Sequence, residues 1–190
     1  MKISSITILS LAAALLPVAG FAQSIAKPSA FVGPVINGSV STSDRRFVRG
    51  AAQGGMAEVE LGKLAAEKGS TDEVKKFGQR MVDDHSKAGD QLKQIASEKG
   101  ITVPQQLSAK DRALKDRLSK LSGEDFDKAY MSDMVKDHTQ DVADFQRESN
   151  SGTDSDIKEF AAKTLPTLQD HLRQAKEIAP SARAANSGGQ

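Results

Sequence analysis

The chain contains three histidines, and each falls on the inward face of a different helical segment. His85 continues a stripe of Val74, Gly78, Met81, Ala88, Leu92 and Ile95. His138 follows Tyr130, Met131 and Met134 and precedes Val142 and Phe145. His171 shares a stripe with Ile157, Ala161, Thr164, Leu168, Ala175 and Ile178. Glu58 holds the same kind of place among Phe47, Ala51, Gly54, Leu61 and Ala65. Spacings that alternate between three and four put residues on one face of an α-helix. Four helices therefore each send one metal-capable side chain toward a shared core.

Burial makes such a set costly unless its members satisfy one another. A lone buried carboxylate is strongly disfavoured or takes up a proton, and a neutral imidazole needs one donor and one acceptor. Two arrangements meet that demand. One is a proton-sharing polar cluster that fixes helix register. The other is a bound cation, with the carboxylate supplying compensating charge. Glu58, His85, His138 and His171 are a chemically suitable ligand set for one zinc, iron or copper ion. Counted from the hairpin turns, Glu58 and His138 stand about one turn from His85 and His171, which leaves open a single site or two layers.

Secondary candidates surround this set. Met81 and Met134 lie four residues before His85 and His138, where a thioether would favour Cu(I) or simply fill the core. Asp141 is one turn beyond His138 and is a spare ligand. Asp84, Asp137 and Asp170 each precede a histidine. Helix neighbours point about 100° apart, so these acids suit orienting a histidine on another helix, or a solvated boundary.

Other chemistries are absent. The chain has no cysteine, hence no thiolate, disulfide or lipid attachment site. No phosphate-binding glycine loop is present. Gly54-Gly55 reads as a place of close helix packing.

The elements that must position the site read as four helices. The first spans 44–68 and stops at Gly69. The second starts at Ser70, with Glu73 completing a capping box, and stops at Gly100. A connector over 101–123 contains Pro104 and a short helix opened by Ser108 and Asp111, with Leu114, Leu118 and Leu121 on one side. The third begins near Ser122, and the fourth starts at 153–155 and ends near 179. Pro166 interrupts the fourth and leaves the carbonyl of Ala162 without its usual partner. No stretch alternates with period two over a strand length. Short connections within each pair predict two antiparallel hairpins, and the long connector predicts a crossover along the bundle. That is the ferritin-like four-helix arrangement. Met81–Ser86 resembles Met134–Thr139, and Val74–Gly78 resembles Ile157–Ala161, a weak internal repeat.

Outside this domain, 1–22 reads as a secretory signal peptide. Lys2 precedes an apolar run from Ile6 to Ala19, and Gly20-Phe21-Ala22 supplies small residues for cleavage. The run is short for a membrane span. Residues 23–43, with Pro28, Gly33, Pro34 and Gly38, read as a flexible tether, and 180–190 as a disordered tail. The chain has 26 Lys+Arg and 25 Asp+Glu, and Lys2 is the leader's single charge, so the mature chain is expected to be neutral. Neutrality, with no Trp and one Tyr, argues against nucleic acid as a partner.

Four segments carry a family resemblance: Ala51 to Ala65, Phe77 to His85 with its Met-Val-Asp-Asp-His end, Phe126 through His138, and Leu165-Pro166-Thr167-Leu168 through His171-Leu172. Together they resemble the bacterial exported domain of unknown function 4142, over about 46–175. The resemblance implies a ferritin-like fold and export to the periplasm or the outer membrane; it supplies no reaction. The di-iron ferritin pattern places a glutamate three residues before a histidine on two helices. Here Val82 and Leu168 stand at those positions, which speaks against ferroxidase chemistry.

The function expected from these residues is an exported protein that binds one transition-metal ion for buffering or stress protection, more as a binder than as an enzyme. The alternative is a cell-envelope structural or interaction module, with an unidentified envelope partner, whose cluster only fixes helix packing.

Overall fold

The computed structural model describes residues 40–184, with side chains through Ala179. The described residues belong to one compact unit. They form five α-helices and no strand: α1 (Thr42–Lys68), α2 (Asp72–Glu98), α3 (Ala109–Ser119), α4 (Gly123–Ser151) and α5 (Ser155–Ala184). The leader expected at 1–22, residues 23–39 of the expected tether and residues 185–190 of the tail lie outside the described residues.

The helix ends follow from local chemistry. Ser41 caps α1 by accepting a hydrogen bond from the Asp44 amide, so the last residues assigned to the tether belong to the domain. Thr71, not Ser70, caps α2 and accepts from the Val74 amide at 3.3 Å. The expected Ser70–Glu73 capping box does not form because the Ser70 hydroxyl donates instead to Asp127. Gly100 follows the end of α2 with φ 61°, a left-handed conformation suited to glycine. Ser108 caps α3 as its sequence predicts. Asp154 opens α5, its carboxylate accepting from the Asp156 and Ile157 amides at 3.1 and 3.3 Å.

Helix α5 continues to Ala184, beyond the expected end at 179. Pro180 cannot donate to the carbonyl of Lys176, but it does not stop later residues from donating to theirs. Pro166 also lies within the continuous helix, on its exposed face, where water can satisfy the carbonyl of the exposed Ala162.

Helix α1 packs along α2, and α4 along α5; α2 also meets α5 and α1 meets α4, while α3 touches α1 and α4. Three-residue turns join α1 to α2 and α4 to α5, which makes each pair an antiparallel hairpin. Asp44 at the start of α1 bonds to Thr153 and Asp154 in the second turn, and Asp127 near the start of α4 bonds to Ser70 and Thr71 in the first. The hairpins therefore lie head to tail.

Helices α1 and α2 approach closely where Gly62 and Gly78 face each other. A Cβ on Gly78 would lie 2.8 Å from both the Ala65 Cβ and the Gly62 carbonyl oxygen, and one on Gly62 would lie 2.7 Å from the Gly78 carbonyl oxygen. The close packing expected at Gly54-Gly55 is instead here. A Cβ on Gly54 would meet nothing within 4 Å, and one on Gly55 would meet only the His85 Nδ1, at 3.9 Å.

Two apolar clusters fill the interior. One contains Leu61, Phe77, Met81, Leu118, Phe126, Tyr130 and Met134. The other contains Val48, Leu92, Phe145, Ile157, Phe160 and Leu168. The histidines lie between them: Phe77 of the first flanks His138 and His171, and Leu168 and Phe145 of the second share a small cavity with His85.

Candidate metal centre

The histidine stripes converge as their spacing predicts. His138 and His171 are fully buried and His85 is 7% exposed. Their ring centroids stand 5.3, 5.4 and 5.6 Å apart, a nearly equilateral triangle. Each ring offers a nitrogen within 4.8 Å of the other two. Tetrahedral zinc would hold such nitrogens about 3.3 Å apart, so small side-chain shifts would bring them to a common ion.

Hydrogen bonds set the lone-pair direction of two of the three rings, His138 and His171. The His138 Nδ1 lies 3.1 Å from the Met134 carbonyl oxygen, to which it donates as N–H, leaving Nε2 as the acceptor. The His171 Nε2 lies 2.8 Å from the Asp84 carboxylate and donates to it, leaving Nδ1 free. The fully buried ring nitrogens without a hydrogen-bond partner are His85 Nε2, His138 Nε2 and His171 Nδ1. Asp84 thus orients a histidine on the neighbouring helix, one of the two roles its position suggested. It is itself held by Arg80, which bridges Asp84 at 3.2 Å and Asp170 at 2.6 Å.

The electrostatics keep the rings neutral. Burial, then the proximity of His138 and His171, holds His85 well below the ordinary histidine value. Burial and His171 bring His138 down to about 4 against the opposing pull of the Met134 carbonyl. Burial also lowers His171, although Asp84 works in the other direction. Neutral imidazole is the form that binds metals.

Glu58 is fully buried but does not join the three histidines. Its carboxylate belongs to a second group with Asp137 and Asp141, whose ligand oxygens lie within 4.8 Å of one another. Glu58 Oε1 stands 3.6 Å from His138 Nδ1, the nitrogen bonded to the Met134 carbonyl rather than the free one. The four residues expected from sequence therefore fall into two groups, the three histidines and Glu58 with its acids, rather than a layer of Glu58 with His138 and one of His85 with His171. Burial, and then the charges of Asp137 and Asp141, raises the Glu58 carboxyl well above its ordinary range. Ionised, the Glu58 oxygens have no donor; a proton on Glu58 would let it bond to Asp137. Asp141, raised to about 7 by burial and by Asp137 and Asp144, groups with Glu58 and Asp137 and also lines the small cavity that His85 borders.

Met81 and Met134 are buried as their stripes predict, and both belong to the apolar cluster. Sequence reasoning missed Asp137 as a partner of Glu58. Its signal was the four-residue spacing to Asp141, which puts both acids on one face of α4.

A cleft of about 340 Å³ opens beside the triad. His85 lies in its wall with Gly55, Met56, Ser86 and Gly89, and Val103 and Pro104 of the connector close one side. The glycines leave His85 within reach of the cleft, while His138 and His171 stay sealed.

An all-helical protein with a buried histidine centre is thus defined. The family model for domain of unknown function 4142 matches residues 34–178, and the chain belongs to that family. No curated protein matches it. Among solved structures, the chain is similar to a crystallised fragment of domain of unknown function 305 from Deinococcus radiodurans. The TM-score is 0.66 at 14% identity, covering 75% of this chain and 98% of that one. At that identity the likeness concerns the helical fold alone. No helix among the described residues is long and apolar enough to cross a membrane.

Proposed function

We propose that this is an exported metal-binding protein whose His85, His138 and His171 hold one zinc, copper or iron ion, serving buffering or stress protection rather than turnover. One observation carries the reading: three buried imidazoles each keep a ring nitrogen that no hydrogen bond claims, and the rings face one another. A polar network that only fixed helix register would pair those nitrogens among themselves or with the backbone. Glu58 then acts from behind His138, as a nearby acid rather than a direct ligand.

Three histidines leave a tetrahedral ion one further position. The cleft at His85 gives water or a small anion a route to it. The two hairpins and the length-spanning connector support a ferritin-like arrangement, and Val82 and Leu168 still stand where di-iron ferritins carry glutamates. The leader pattern at 1–22 supports export to the periplasm or association with the outer membrane.

The test is elemental analysis of untagged protein beside a His85→Ala, His138→Ala double variant. The expected result is about one transition-metal ion per chain in the parent and none in the variant, because the ligands are few and specific. Absence of metal in the parent after incubation with zinc, copper and iron would overturn the reading. The envelope-module alternative would then take its place.

A further inference from the structure

We propose that Glu58, Asp137 and Asp141 form a second cation site, distinct from the histidine centre, that takes a divalent cation preferring oxygen ligands. This goes beyond the reading above and does not depend on it.

The three carboxylates come from two helices, Glu58 on α1 and Asp137 and Asp141 one turn apart on α4. Their ligand oxygens lie within 4.8 Å of one another. Glu58 is 0% exposed, and as a carboxylate neither of its oxygens has a hydrogen-bond donor; only as an acid does it bond, to Asp137. Among the described residues no lysine or arginine forms an ion pair with any of the three; the single ion-pair contact is the Glu58–His138 approach at 3.6 Å. A fully buried carboxylate with two half-buried ones against it needs a compensating cation or must give up charge.

A second observation points the same way. The Tyr130 hydroxyl is also fully buried and has no hydrogen-bond partner, and it lies close enough to Glu58 to feel that carboxylate's charge. Two fully buried polar side chains thus lack a partner here, the Glu58 carboxylate within the acidic group and Tyr130 within the range of its charge.

The donor chemistry selects the cation. Carboxylate oxygens suit calcium, manganese and similar hard ions, whereas the imidazoles next door suit zinc or copper. Asp137 and Asp141 are only half-buried, and Asp141 borders a surface cleft with Phe47, Gly50 and Asp144. An ion can therefore arrive from solvent without passing the histidines.

The probe is Mn²⁺, whose free aquo ion gives an electron paramagnetic resonance signal that falls on binding. Binding isotherms are measured on the chain as exported, on Asp141→Asn, and on a His85→Ala, His171→Ala double variant. Asp141→Asn keeps side-chain volume at a half-buried position, and circular dichroism checks its fold. About one Mn²⁺ is expected to bind the parent and the histidine variant alike, and affinity should fall about tenfold or more in Asp141→Asn, since such sites follow ligand charge. Zinc uptake by Asp141→Asn at the histidines should stay intact. Full Mn²⁺ binding in Asp141→Asn, loss of it in the histidine variant, or none in the parent at millimolar Mn²⁺ would each overturn the second site. Failure of zinc binding with Mn²⁺ binding preserved would instead strike the histidine reading.

Discussion

Asp44 and Asp127 serve the same purpose at opposite ends of the molecule: each sits near the start of one hairpin and holds the turn of the other. Asp44 accepts from the Thr153 hydroxyl at 2.7 Å and the Asp154 amide at 2.9 Å. Asp127 accepts from the Ser70 hydroxyl at 2.6 Å and the Ser70 amide at 2.9 Å. The turns they hold begin with matching glycines, Gly69 at φ −50°, ψ 136° and Gly152 at φ −57°, ψ 144°. The hairpins are thus near-repeats that clasp one another head to tail.

Removing either clasp takes a buried accepting carboxylate from donors in an exposed turn. Asp127→Ala is expected to cost about 2–3 kcal/mol, since hydrogen bonds to charged groups exceed neutral ones and their donors lose a partner. Asp127→Asn should fall between, because its amide keeps one accepting oxygen. Urea unfolding measures both, and an unchanged midpoint for Asp127→Ala would show the clasp to be dispensable. Asp44 adds an acid dependence. Burial raises its carboxyl, but the bonds from Thr153, Asp154 and Ser41 outweigh this and hold it below its ordinary value. Its contribution is present above the unfolded pKa and is lost as pH falls through the folded one.

Glycine substitutions should split by position. Gly78→Ala puts a Cβ 2.8 Å from the Ala65 Cβ and from the Ala66 backbone nitrogen, neither of which can swing aside. The expected loss is about 1–3 kcal/mol, typical of overpacking. Gly89→Ala meets nothing within 4 Å inside the same helix. There the gain in helix propensity should stabilise by about 0.5–1 kcal/mol. Thermal melts of the two variants are expected to move in opposite directions.

The histidine triangle was legible because helical spacing alone carries each ring inward. Its division from Glu58 stays open in the sequence, because counting from the turns puts Glu58 level with His138 and one turn from the other two. Spacing gives the face of a helix but not its axial offset from another helix, and an offset of one turn decides whether four ligands make one site or two. The same limit explains Asp137: its place beside His138 suggested a partner on another helix, but not that the partner was Glu58. Ser70 misled for a related reason. Ser-x-x-Glu satisfies the local capping pattern, yet a distant carboxylate, Asp127, takes the Ser70 hydroxyl and leaves Thr71 as the cap. Gly54-Gly55 read as a close contact because pairing is visible in sequence. Gly62 and Gly78 meet only through the antiparallel α1–α2 register.

Without metal, the histidine centre should make the protein acid-sensitive. Burial lowers the folded pKa of all three, joined by neighbouring histidines at His85 and His138 and by Arg80 at His171, and brings His138 to about 4. On unfolding each regains its ordinary affinity for a proton, so stability is present above the unfolded value near 6.5 and is lost as pH falls toward 4. Metal-free protein should melt progressively lower from pH 7 to pH 5, and His85→Leu should flatten that slope. Zinc at about a hundred times its Kd should add about 2.7 kcal/mol at pH 7 and progressively less as protons compete for the imidazoles. A melting temperature constant between pH 5 and pH 8 in metal-free protein would contradict neutral buried rings.

Glu148 should behave in the opposite sense. It is 7% exposed at the end of α4, beside the clasp made by Asp44. Burial, then the charge of Asp44 and a hydrogen bond with it, and then Asp154, raise its carboxyl to about 7. An acid raised on folding contributes most below its unfolded value near 4.5, and that contribution is lost as pH climbs through 7. At pH 8 the ionised Glu148 faces Asp44 across a buried contact, so Glu148→Gln should raise the melting temperature there by a few degrees. At pH 5 both chains carry a neutral group at this position and should melt nearly together. The comparison isolates charge from packing, because glutamine preserves length and hydrogen-bonding capacity. An equal effect of the substitution at both pH values would mean that Glu148 does not change protonation in this range.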